Sequence, residues 1–199
     1  DLLHSTMLMH AIYVYTIIFF GNYDEVQKLV WSFKTTAVIH GIVIYMVQLF
    51  FCRRIYYLEQ SWISPVIAVL LATVRLAFNT CIMVTEISAD LLSIVRSPTF
   101  KWEVSCLLSV GLASDVFITF CICRALLRQR SGILSTKSLV DKLVGFTIGS
   151  GLLTTIFALI ELVTFLALRN HIYLLFYTLL GKLFSNSLLA SLNEREMNR

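Results

Sequence analysis

Six apolar runs, each about 20 residues long, occupy positions 2–20, 32–52, 63–84, 103–123, 143–168 and 171–192. A helix rises about 1.5 Å per residue, so a run of that length crosses the roughly 30 Å hydrocarbon core of a bilayer. Lipid offers no partner for backbone N–H and C=O groups, and a helix satisfies its own. The runs therefore predict an all-α, polytopic transmembrane helix bundle, with six spans in a single membrane domain over 1–199. Composition agrees. The chain is 58% hydrophobic and 14% charged, against about 45–50% and about 25% in ordinary globular domains. Two prolines and eight glycines leave little material for linkers.

The edges of the runs carry orientation. Trp31, Trp62 and Trp102 each stand at the start of a run, where amphipathic rings anchor in the membrane interface. Basic residues alternate between the two sides. Arg53, Arg54, the loop residues Arg124, Arg128, Arg130, Lys137 and Lys142, and the tail residues Arg195 and Arg199 make nine on one side. Lys28, Lys34, Arg96, Lys101 and Arg169 make five on the other. The positive-inside rule assigns the first set, and with it the C-terminus, to the cytoplasm. The chain starts at Asp1 inside an apolar run and shows no signal-peptide n-region. It is expected to be N-terminally truncated, with one more span upstream making seven. The plasma membrane is the expected location.

Charges inside spans are rare, face the bundle interior and pair with one another. Depth follows from the helical rise. Arg75 lies about 20 Å from the inner boundary and Asp115 about 14 Å, a gap that a guanidinium can bridge. Arg75–Asp115 is the first expected pair. Lys182 lies about 16 Å from the outer boundary and Glu161 about 10 Å, so Glu161–Lys182 is the second, joining two antiparallel neighbours. One turn beyond Lys182, Ser185, Asn186 and Ser187 suit close helix contact and interhelical hydrogen bonds. Gly145-Phe-Thr-Ile-Gly149 offers the same at lower specificity. His10 and His40 fall at matched depth, about 14–15 Å below the outer boundary, near Glu161. Tyr13 and Asn79 lie somewhat higher. His10, His40, Asn79, Glu161 and Lys182 thus form a candidate polar cavity in the outer half, where a small-molecule ligand arriving from outside would bind. The competing reading is a set of hydrogen-bonded interhelical residues that only hold the bundle together.

No catalytic pattern is present: Gly-x-Ser-x-Gly, the P-loop and His-Glu-x-x-His are absent. The chain is not expected to be an enzyme. His10, His40 and Glu161 are zinc-competent types, yet no spacing supports a site, and no metal or cofactor is expected. A retinal Schiff base at Lys182 would need an aromatic slot, and no run interior holds a tryptophan. Cys52, Cys81, Cys106, Cys121 and Cys123 read as membrane-buried thiols. Cys52, Cys121 and Cys123, near run ends, have the placement of acylated cysteines. The loop 123–142 is the most charged segment. Its arginines and lysines would attract anionic lipids at about 1 kcal/mol each. Docking of a cytoplasmic signalling partner is the alternative, tuned by phosphorylation at Ser131, Ser135, Thr136 or Ser138. Ser138 and Asp141 have helix-cap spacing, so the fifth helix should start there. Nucleic acid is not an expected partner.

Three stretches carry a family likeness: VQLFFCRRIYYL (47–58), SDVFITFCICRALLRQRSGILSTKSLVDKLVGFTIGSGLLTT (114–155) and NSLLASLN (186–193). Together with DLLHSTMLMHAIYVYTIIFFGN (1–22), which is similar to the family's second helix, they resemble a fungal multi-pass membrane family. It is catalogued as domain of unknown function 6534 and abundant in mushroom-forming fungi. The resemblance implies a seven-helix integral membrane protein and supplies no function. Outside-N topology, the cavity and the basic loop favour a receptor-like sensor. The alternatives are a structural or membrane-organising protein and a proton-coupled small-solute transporter. The transporter lacks the expected signs of internal repeats and proline-broken spans.

Overall fold

The computed structural model describes residues 2–22, 25, 30–88, 98–129, 137–168 and 172–197. Among these the chain is helical and has no strand. Helix α1 covers Leu2–Tyr13 and widens into a π turn over Val14–Ile18. Helices α2 to α6 cover Trp31–Glu59, Ile63–Ser88, Pro98–Gln129, Lys137–Ala167 and Tyr173–Met197. Pro98 opens α4, the one helical position where a missing N–H costs nothing. Gln60 ends α2 in the left-handed conformation (φ 52°), its N–H bonded to Tyr56 O. The helix α5 starts at Lys137, which puts Ser138 inside the first turn, one residue past the helix start.

Among the described residues, four helices are long and apolar enough to cross a membrane: Trp31–Glu59, Ile63–Val84, Pro98–Arg128 and Gly149–Ala167. Leu2–Ile18 is apolar but shorter, and α6 is not among the four. The run at 171–192 is diluted by Lys182, Ser185, Asn186 and Ser187. In Ile63–Val84 and Gly149–Ala167 only 17% of the apolar window is buried inside the bundle. Leu70, Val74, Leu152, Ile156, Val163 and Leu166 point outward. A soluble protein would leave only small apolar patches exposed, so these faces suit a bilayer.

Consecutive helices from α2 to α6 pack antiparallel, and α2 sits centrally, touching α1, α3, α4 and α6. One end of the bundle carries Trp31 and Trp102, and the opposite end carries Trp62, Arg53 and Arg124. All three tryptophans are at least 60% exposed, and Trp62 lies 4.4 Å from Tyr56. The apolar core is layered. Ile82, Phe100, Val104 and Leu108 fill the Trp31 end. Cys52, Ile55, Ala68, Ile118, Cys121 and Ile122 fill the arginine end. Ile44, Val47, Ala158, Leu180 and Phe184 lie between. Buried polar side chains gather around this middle layer.

Candidate functional site

Antiparallel packing of α3 and α4 sets Arg75 opposite Asp115, with Nη1 3.5 Å from Oδ1. The side chains are 13% and 3% exposed. Gly111, one turn from Asp115 on α4, makes the approach possible, because a Cβ there would run into the Arg75 guanidinium. The far side of the guanidinium lies 5.6 Å from the centre of the Phe184 ring on α6, a cation–π distance. From α2, Gln48 Nε2 donates to Ser114 Oγ at 3.1 Å and to Asp115 Oδ1 at 3.4 Å. Four helices thus meet at one buried ion pair. Asp115 Oδ2 and Gln48 Oε1 have no partner among the described residues.

Toward the Trp31 end, His40 of α2 stacks on Tyr177 of α6, with ring centres 3.9 Å apart. Gly181 admits the imidazole, since a Cβ there would meet the His40 ring. Gly41 in the same way leaves room for Asn79 of α3. Glu161 of α5 is 2% exposed. It lines two small cavities of about 20 and 70 Å³, both shared with Asn79 and Tyr177. The first also reaches His40, Gln48 and Arg75. Their volumes suit one or a few waters and fall below the roughly 300 Å³ lower bound of small-molecule pockets.

The structure brings Arg75 and Asp115 together, and gathers His40, Asn79 and Glu161 around the cavities. It separates others. His10 is exposed and lies at the first turn of α2, with Nδ1 3.0 Å from Ser32 Oγ and its ring 5.3 Å from Trp31. His40 is eight residues further along α2 than Ser32, about 12 Å deeper. The matched depth expected for the two histidines is therefore corrected. It assumed that the first run ends level with Trp31, whereas α1 overshoots that level by its π turn. His4 is the histidine beside His40, 5.8 Å away, and is buried. Glu161 and Lys182 are directed to different neighbours. Lys182 Nζ lies 2.6 Å from Ser5 Oγ on α1, whereas Glu161 lines the cavities beside Asn79 and Tyr177. Ser185 is buried, Ser187 half-buried and Asn186 exposed. Sequence reasoning overlooked His4, Gln48, Ser114 and Tyr177. A lone amide inside VIYMVQLFF was the available signal for Gln48.

Arg124 and Arg128 are exposed. With Glu59, Gln60, Ser61 and Ser64 they border an open hollow of about 650 Å³ at the arginine end. Arg130, the loop serines and Thr136 lie outside the described residues, as do the side chains of Lys137, Ser138, Asp141 and Lys142, while Gly145 stands in α5. Among the described residues no group of three or more His, Cys, Asp or Glu side chains could hold a metal ion. The five cysteines are free thiols, with Cys52 and Cys121 buried.

No curated protein matches the chain. No solved structure matches it either. The stretches 1–22 and 47–58, with Gln48, and likewise Arg75 lie outside the segment that matches a family model. Over residues 111–197, which carry Asp115, Glu161 and Lys182, the chain matches the family of unknown function DUF6534, the family that its sequence motifs resemble.

Proposed function

We propose that this chain is the body of a fungal, seven-helix, receptor-like sensor of the plasma membrane, with six spans here, the C-terminus cytoplasmic and no enzymatic activity. One observation carries the reading: His40, Asn79, Glu161 and Tyr177, from α2, α3, α5 and α6, converge on cavities toward the Trp31 end. The smaller of those cavities reaches Arg75, whose pairing with Asp115 ties together α3 and α4. A ligand that enlarges the cavity has to displace Glu161 or Asn79, and so alters the balance of charge around Arg75. Buried ion pairs are sensitive to such changes, so a rearrangement at one end is transmitted to helix packing. The basic α4–α5 loop would then pass it to anionic lipids or a cytoplasmic partner. Charge-balanced ion pairing inside the bundle equally suits a structural protein whose polar layer only fixes helix register.

The test is a small-molecule melting screen on detergent-purified protein, with Glu161→Gln and Asn79→Ala as controls. A compound that raises the wild-type Tm and loses its effect in both controls supports the sensor. Absence of any such compound, with acid-driven proton flux into vesicles that Glu161→Gln abolishes, would replace the sensor by a transporter.

A further inference from the structure

On the arginine-end side of the Arg75–Asp115 pair lies a further small cavity, partly open, of about 40 Å³. Its polar lining is Gln48, Asp115, Thr119, Ser150, Thr154 and Ser187, drawn from α2, α4, α5 and α6. These side chains offer oxygen and, apart from the Gln48 amide nitrogen, nothing else. That nitrogen is already committed to Ser114 and Asp115. Asp115 Oδ1 is committed as well, to Arg75 and Gln48. What is left over is Asp115 Oδ2 and Gln48 Oε1, both buried and both without a partner among the described residues. Asp115 is 5% and Gln48 1% exposed. Two orphaned acceptors on residues that line one cavity call for a cation or a strong donor, because a buried acceptor is costly to leave unsatisfied and a charged one more so.

The chemistry of the lining narrows the choice of ion. A divalent ion would want more carboxylates than the single one here, and a soft metal would want sulfur or imidazole. A water needs roughly 10–15 Å³ of such volume, so about 40 Å³ seats an ion of water size with a water beside it.

We propose that this cavity binds a hard monovalent cation of the size of Na⁺, held by Asp115 Oδ2, Gln48 Oε1 and the hydroxyls of Thr119, Thr154 and Ser187. The site goes beyond the sensor reading and does not rest on it. Gly151 shapes one wall: a Cβ there would strike the Thr119 side chain, so α5 lies close enough to α4 for Thr119 and Thr154 to face one small volume.

The experiment is thermal unfolding of the detergent-purified chain in NaCl against choline chloride at equal ionic strength. Tm should rise saturably with Na⁺, by on the order of 3–6 °C at tenfold above half-saturation, and less with KCl. Asp115→Asn should abolish the Na⁺-specific rise. Should that variant not fold, Thr119→Val, which keeps the shape and removes one ligand, should raise the half-saturating concentration about fivefold or more, worth about 1 kcal/mol. Line broadening of ²³Na in solution, relieved by Thr119→Val, would support the site independently. Equal melting in Na⁺ and choline overturns the proposal. So does a Na⁺ effect untouched by Thr119→Val and Asp115→Asn, or stabilisation by acid alone, in which case a proton satisfies the two oxygens.

Discussion

Replacing Arg75 by Met removes the cation from a carboxylate that stays buried. The separation is 3.5 Å; at that distance an effective dielectric of about 20 gives an attraction of about 5 kcal/mol. Arg75 is 13% exposed, so part of that attraction is offset by solvent in the intact protein. Losing one partner of a buried pair costs about 3–5 kcal/mol. For a chain of this length that corresponds to a fall in Tm of about 6–20 °C. The Gln48 bond to Asp115 softens the loss, and the lost stacking on Phe184 adds to it. The double change Arg75→Met, Asp115→Leu leaves no orphan charge and should recover at least half the fall. Cys52 and Cys121 are buried free thiols, so a fluorogenic maleimide that reacts as they become accessible reports the melt in detergent. An Arg75→Met protein that melts with wild type refutes the claim that the pair holds α3 against α4. A double variant no better than the worse single one refutes the coupling.

Glu161→Gln and Lys182→Met should be additive in Tm within about 0.5 kcal/mol equivalent, as for sites without shared partners; strong coupling in the double variant would restore the pair expected from sequence. Lys182→Met and Ser5→Ala should each lower Tm by about 1 kcal/mol or slightly more, as for a hydrogen bond to a charged group, and raise protease cleavage of α1. Gly41→Ala should destabilise by about 1–3 kcal/mol through overpacking against Asn79, with rescue by Asn79→Ala. Brominated lipids carrying the halogen near the headgroup should quench tryptophan fluorescence more than lipids brominated at the chain ends, since all three rings are exposed near the bundle ends.

Much of the architecture was legible because bilayer thickness and helix rise leave few solutions for runs such as 63–84 and 103–123. The Arg75–Asp115 contact was legible for the same reason: both residues lie at fixed distances from the same boundary, and one long side chain covers the difference. Helix ends were less so. α4 runs from Pro98 to Gln129, beyond the 103–123 run, because a helix continues through the interface wherever its backbone bonds are intact, while hydropathy stops at the first charges.

Depth alone could not decide which residues meet. His10 and His40 shared an estimated depth, but the level at which α1 stands against α2 is a packing variable, and it puts His4 beside His40. Lys182 could reach Glu161 by rise, yet the azimuth of α6 turns it to Ser5. Three glycines, Gly41, Gly111 and Gly181, set how closely Asn79, Arg75 and His40 approach the neighbouring backbones, and their partners lie on other helices, far away in sequence. The sequence by itself determined a bundle of apolar helices with charges held inside it. Only the tertiary structure decided which charges meet and where two oxygens are left without a donor, because those outcomes depend on helix rotation and level, which no single helix's periodicity encodes.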